Sequence, residues 1–211
     1  MDKSEFIGII KKIVICALSV VLLGISIALN TKAMLGNDPI TVFYDGLSVR
    51  TGHSMGITAN IINSILLVVV LLVDRHYINV GTLIYAEVLG PSITLGLNLY
   101  NLLNIPDILV CRIVLAVIGY GLAFVSLGAF VAVDVGIDPW TASAIIMSKK
   151  LNKPFGGTKA SIDAIAFLVG YFLGGTVGVM TFISAVIGGP AIEKISEFLD
   201  KLFSKMIKYS G

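Results

Sequence analysis

Six mostly apolar stretches, at residues 13–33, 57–73, 80–102, 109–133, 160–175 and 177–192, restrict what this chain can fold into. A helix needs about 20 apolar residues to cross the roughly 30 Å hydrocarbon core of a bilayer. The second and fifth stretches sit near the short limit. Composition points the same way, with 56% apolar residues, only 13% charged and a mean hydropathy of +0.97. An ordinary soluble domain carries about 25% charged residues. The expectation is an all-α polytopic membrane protein with six transmembrane helices, whose first partner is the lipid bilayer. The first stretch exceeds the roughly 7–15 apolar residues of a signal-peptide core and has no clear small-residue cleavage site after it, so it reads as a retained anchor.

Basic residues set the expected orientation. With a cytoplasmic N terminus and six crossings, the outer side keeps Lys32, Arg50 and Arg112, and the cytoplasmic side receives the other twelve of the fifteen Lys and Arg residues. This is the asymmetry of the positive-inside rule, and it places both termini in the cytoplasm. The tail at 194–211 mixes Ile195, Phe198, Leu199, Leu202 and Met206 with charged residues. It reads as an amphipathic helix on the inner surface or, equally, as a solvated extension of the last span.

The chain repeats itself. "LGNDPIT" at 35–41 returns as "VGIDPWT" at 135–141, so Gly36, Asp38, Pro39 and Thr41 match Gly136, Asp138, Pro139 and Thr141. The same offset pairs Gly56 with Gly156, Thr58 with Thr158 and Asn63 with Asp163. After the loss of one residue, "VGTLIYAEVLGP" at 80–91 aligns with "VMTFISAVIGGP" at 179–190, and Gly90-Pro91 meets Gly189-Pro190. Each half therefore carries three spans, an odd number, and the second half must enter the membrane from the other side. The expected organisation is a first repeat at 1–104, an inverted second repeat at 105–193, and the tail. Inverted repeats of this kind build transporters with a midplane site, and they occur in channels too.

Asp is a preferred helix N-cap and Pro is best tolerated at the first helical position, so each G-x-D-P turn should start a helix. The helices that follow are too short to cross and are expected to be either re-entrant or interfacial. Asp38, Thr41, Asp138 and Thr141 are then pathway candidates. A competing reading has the two carboxylates fully occupied as caps. Thr58, Asn60, Asn63, Tyr85 and Thr158 are further candidates on the spans.

Glu87 sits inside the third span opposite Val186 in the repeat, and a carboxylate there must face the bundle interior, titrate or find a partner. Asp163 has Lys159 one turn earlier, which makes a local ion pair the default and proton coupling the sharper alternative. Trp140 and the tyrosines near span ends read as interfacial anchors. Gly170, Gly174 and Gly178 recur every four residues and would give a flat strip for packing within the chain or in a homodimer. Gly90-Pro91 and Gly189-Pro190 should kink the last helix of each half.

Cys16 and Cys111 have no metal-type or redox-type spacing and read as packing residues. There is no phosphate-binding G-x-x-x-x-G-K, no H-E-x-x-H and no G-x-S-x-G, so neither an enzyme nor a cofactor or metal site is expected. With 15 basic and 13 acidic side chains and no basic array, nucleic acid is not an expected partner.

The stretches "LGNDPITVFYDGLSVRTGHSMGITANIIN", "VGTLIYAEVLGP" and "VGIDPWTASAI" resemble the YczE/YyaS/YitT-type integral membrane proteins of bacteria. The resemblance covers most of the chain and implies a bacterial inner-membrane location and a multi-span fold, but no substrate. The functional expectation is a small secondary transporter of a polar or amphipathic metabolite, with proton or sodium coupling through Glu87 or Asp163. Two alternatives stay open: the substrate-binding membrane subunit of an ATP-driven importer, and a non-transporting accessory protein.

Overall fold

The computed structural model describes residues 3–103 and 105–208. Their regular structure is eight α-helices and one 3-10 turn: α1 Lys3–Ala33, α2 Pro39–Thr51, α3 Met55–Asp74, the turn at Arg75–Tyr77, α4 Val80–Leu102, α5 Leu109–Ala132, α6 Pro139–Leu151, α7 Phe155–Phe172 and α8 Val179–Lys208. No strand occurs among the described residues. Five stretches are long and apolar enough to cross a membrane: Glu5–Ala33, Met55–Tyr77, Val80–Leu102, Leu109–Ala132 and Val179–Phe203. The chain is an all-helical, multi-pass membrane protein.

The expected fifth span differs from its sequence reading. α7 begins at Phe155 and ends at Phe172, so its 18 residues take in both Lys159 and Asp163, and the charged pair leaves it short of the apolarity of the other five. The glycine strip also breaks. Gly174 has φ +99° and lies beyond the end of α7 with Gly178, so only Gly170 belongs to the helix. The last span, by contrast, runs on without a break into the tail as far as Lys208, with Pro190 inside the helix. Residues 209–211 of the expected tail lie outside the described residues.

Local chemistry explains the two short helices. Asp38 accepts from the Thr41 amide at 3.2 Å and Pro39 follows at the first helical position; Asp138 accepts from the Thr141 amide at 2.9 Å ahead of Pro139. Both helices end on a left-handed residue, Gly52 and Asn152. The turns that lead into them match as well, since Met34 and Asp134 adopt φ of 54° and 48°. A residue with a Cβ pays for that conformation, and its recurrence at both copies marks a geometry that the chain needs there.

Packing centres on α1, which lies against α4 and α5; α5 packs on α8, α3 on α4, α2 on α7, and α6 on α3 and α7. The contacts fix relative directions. Gly24 meets Ser92 and Gly96 meets Ala28, so α1 and α4 run the same way. Gly188 meets Phe124 and Gly128 meets Ile195, so α5 and α8 do too. Gly119 meets Asn30 whereas Ala33 packs with Leu115 and Ala116, so α1 and α5 run oppositely. Backbone closeness along these seams is possible because small residues stand where a side chain would collide.

The short helix α2 is buried on most sides, at Thr41, Val42, Tyr44, Asp45 and Gly46. Its backbone touches α7 through Gly46 against the Gly170 carbonyl, and Gly170 in turn lies against Val42 and Phe43. Gly46→Ala drives a methyl into that carbonyl and should cost about 1–3 kcal/mol. Gly121→Ala, on α5 with nothing within 4 Å of an added Cβ, should be neutral or stabilising. Thermal unfolding of the purified protein in detergent measures both, and equal effects would contradict the described α2–α7 contact.

Candidate functional site

The two D-P turns are tied by their backbones to the opposite half of the chain. The Met180 amide donates to Leu35 O at 3.0 Å, and the Gly81 amide donates to Val135 O at 3.0 Å. Leu35 and Val135 are repeat partners, and so are Gly81 and Met180. The side chains repeat the pattern: Thr82 Oγ1 accepts from the Asn79 amide at 3.3 Å, and Thr181 Oγ1 accepts from the Gly178 amide at 3.2 Å. Each turn thus sits on the N-terminal end of the other half's last helix.

Between the turns lies a polar centre built by α2, α3 and α6. Trp140 Nε1 donates to the Tyr44 hydroxyl at 2.7 Å and Asn63 Nδ2 donates to the same oxygen at 3.0 Å. All three side chains are buried, and Phe43 packs edge-on against Trp140. Burial raises the Tyr44 hydroxyl pKa well above its ordinary value; the two donors lower it, and the Asp138 and Asp38 charges add to the rise. Tyr44 is therefore a neutral hydrogen-bonding group at any working pH. Desolvation also raises the Asp38 carboxyl above the usual carboxylate range, against hydrogen bonds from the Thr41 side chain and from the Thr41 and Ile40 amides. Asp163 of α7 is close enough to act on Asp38 and pushes in the same direction.

The two turns differ in access. At the first, Gly36, Asn37 and Thr41 are buried, Tyr120 donates to Gly36 O at 2.9 Å, and Asp45 accepts from the Thr176 amide at 2.7 Å. At the second, the same positions hold half-buried Gly136, Ile137 and Thr141, and the repeat partners of Tyr120 and Asp45 are the apolar Val20 and Ile145. A cavity of about 600 Å³ opens there, lined among others by Ile13, His76, Asn79, Asp134, Ile137 and Ile145. Several buried side-chain atoms near these turns have no hydrogen-bond partner: both amide atoms of Asn37, Asn30 Oδ1, Asn63 Oδ1 and Ser126 Oγ. Native interiors carry few such atoms, because each costs roughly 1–3 kcal/mol.

The sequence candidates divide between this centre and its outside. Asn63 belongs to it; Asp38 and Asp138 are within electrostatic reach of Tyr44, and Thr41 and Thr141 give their amides to those two carboxylates. Tyr85 packs edge-on against Phe130 near the second turn, and Asp38 and Asp138 are within electrostatic reach of it. Thr58 and Thr158 are spent on local bonds to Ser54 O and Pro154 O. Asp163 is held by Lys159 at 2.9 Å. Glu87 is exposed on α4 rather than turned into the bundle, and its partner is the Ser64 hydroxyl at 3.2 Å. Asn60 faces the α4 backbone, away from the centre, where its amide nitrogen donates to Ala86 O at 2.9 Å and Glu87 O at 3.1 Å.

Trp140 corrects its reading as an interfacial anchor, because it is 8% exposed and hydrogen-bonded inside the bundle. Tyr44, Asn37, Asp45 and Tyr120 escaped notice as site residues. Each breaks the repeat, facing Ala144, Ile137, Ile145 and Val20 across it, and that mismatch was the signal available.

Fold and centre together define a multi-pass helical membrane protein with a buried polar junction and a cavity beside the second turn. The chain belongs to DUF6198, a family of unknown function, which it matches over residues 10–197. An uncharacterized protein of Haemophilus influenzae is similar to it, 23% identical over 192 residues that cover 91% of this chain and 86% of that protein. No solved structure matches.

Tyr44→Phe leaves Trp140 Nε1 and one Asn63 donor bond unpaired in the bundle, and should cost about 1–3 kcal/mol. Trp140→Phe should then cost less in the Tyr44→Phe background than in the wild type. A double-mutant cycle of thermal unfolding checks this, and strictly additive effects would count against the shared hydrogen bond.

Proposed function

We propose that the protein is a small secondary transporter made of two inverted three-helix halves, in which α7 supplies the sixth crossing and α2 and α6 are re-entrant helices meeting near the midplane. The observation that carries this reading is the unequal surroundings of two matching turns: Gly36, Asn37 and Thr41 are buried, whereas Gly136, Ile137 and Thr141 are half-buried at a turn that lines a cavity of about 600 Å³. A carrier must open to one side at a time, and two equivalent turns in unequal states are what such a cycle requires. A packing duplication gives no reason for the difference.

In this reading the distribution of basic residues places both termini in the cytoplasm of a bacterium, so the cavity at Gly136 opens inward. The resemblance to YczE/YyaS/YitT-type proteins agrees with an inner-membrane location. The substrate is a small molecule with both apolar and hydrogen-bonding parts, because the vestibule combines isoleucines with His76, Asn79 and Asp134. No catalytic step, cofactor or metal enters the reading. Asp38 is the better candidate for a proton-coupling group, since it lies at the turn beside the polar centre, within electrostatic reach of Tyr44 and Tyr120. Glu87 and Asp163 have partners outside the polar centre and are the weaker ones.

Proteoliposome counterflow of small amphipathic metabolites under an imposed proton or sodium gradient tests the proposal. Ile145→Trp, which fills the vestibule from α6, should abolish flux while leaving the protein folded. Asp38→Asn should remove the dependence on the gradient, whereas Glu87→Gln and Asp163→Asn should retain it. Gradient-driven flux that survives both Ile145→Trp and Asp38→Asn would contradict this pathway. A requirement for a co-purifying ATPase would favour the importer subunit.

A further inference from the structure

The two halves keep matching glycines on the helices that should pack together, yet only one half uses them. In the first half, α3 and α4 meet in a tight seam. A Cβ on Gly56 would strike Gly90 O and Thr94 Oγ1, and one on Gly90 would strike Gly56 O and come within 2.6 Å of Asn60 Cβ. In the second half, the partners of Gly56 and Gly90 are Gly156 and Gly189, and an added Cβ at either finds nothing within 4 Å. α7 and α8 are joined by only residues 173–178, and they form no packed interface.

The difference has a chemical cause. Pro91 has no amide hydrogen, so the Glu87 carbonyl four residues earlier loses its partner inside α4. Asn60 supplies one from α3: with its amide oriented so that nitrogen rather than oxygen faces these carbonyls, the assignment the hydrogen-bonding network requires, it donates to Glu87 O at 3.1 Å and Ala86 O at 2.9 Å, and the Ser64 hydroxyl reaches the Glu87 side chain at 3.2 Å. Pro190 frees the Val186 carbonyl in the same way. The repeat partner of Asn60 is Ala160, which has no amide to offer, and that of Glu87 is Val186 itself. The first seam is clamped and the second is not.

We infer that the two seams exchange: the protein has a second state in which α7 and α8 close with Gly156 against Gly189 while α3 and α4 part, and Asn60 is the clamp that makes the state described here the resting one. Glycine at positions 156 and 189 then has a use that the resting state does not give it. The exchange rests on the two-half organisation proposed above and supplies the movement for it, but it does not depend on which molecule is carried.

The test is thiol cross-linking in native membranes with Cys16 and Cys111 replaced by alanine. Ile57→Cys with Thr94→Cys spans the first seam, where both residues line one groove. Gly157→Cys with Glu193→Cys spans the second. A short bifunctional thiosulfonate should join the first pair fast and the second slowly. Asn60→Ala removes two hydrogen bonds and should speed joining of the second pair about tenfold while slowing the first. Ser64→Ala, at an exposed bond, should likewise speed the second pair and slow the first, by less, and serves if Asn60→Ala does not fold. Sealing the first pair should prevent joining of the second. Equal joining of the second pair with the first sealed, or rates unmoved by both substitutions, would overturn the exchange. Exchange without flux would sink the transporter reading alone, and flux without exchange would sink this inference alone.

Discussion

Two backbone hydrogen bonds, Met180 to Leu35 and Gly81 to Val135, hold the molecule's architecture in place. Each joins the turn before a short helix to the first residues of a long helix from the other half. In the proposed re-entrant arrangement these turns lie at bilayer depth, where irregular backbone survives only against protein or water. The two turns meet that requirement reciprocally, each becoming part of the other half's helix start. Because neither is satisfied alone, the halves cannot be separate domains that merely touch.

From this constraint the polar centre follows. Docking the turns brings the N-terminal ends of α2 and α6 together, and with them Asp38, Asp138, Tyr44 and Trp140. The carboxylates cap the helices they begin, as the Asp-Pro pairs led one to expect. Departures from the repeat then set the balance. Tyr120 and Asp45 seal the first turn, while Val20 and Ile145 leave the second open. In the proposed exchange Asn60 clamps a seam for which Ala160 has no equivalent bond. In the proposed cycle these few unmatched residues choose the resting state of an otherwise symmetrical frame.

Much of this was legible in the sequence. Apolar length gave the membrane class, and the D-P pairs gave the start of both short helices, because Asp and Pro act through local backbone chemistry that needs no tertiary context. Where tertiary contacts decide, the sequence was silent or misleading. The Lys159–Asp163 pair, one helical turn apart and therefore local, was by contrast readable from spacing. Trp140 looked like an interfacial anchor because only the Tyr44 contact draws it inward. For Glu87 the position along α4 was readable but the direction around the helix was not, so the structure was needed to choose among its expected fates: it is exposed and has the Ser64 hydroxyl as partner.

The central claim is that the two D-P turns belong to halves that enter the membrane from opposite sides. Met34 and Asp134 are repeat partners, exposed and at matching places just before the two turns. With Cys16 and Cys111 replaced by alanine, Met34→Cys and Asp134→Cys should be labelled singly with a membrane-impermeant thiol reagent in intact cells and in inside-out vesicles. The account predicts that Met34→Cys reacts in cells and Asp134→Cys only in the vesicles. Reaction of both from the same side would contradict the inverted arrangement, and with it the reading of the cavity as one end of a pathway.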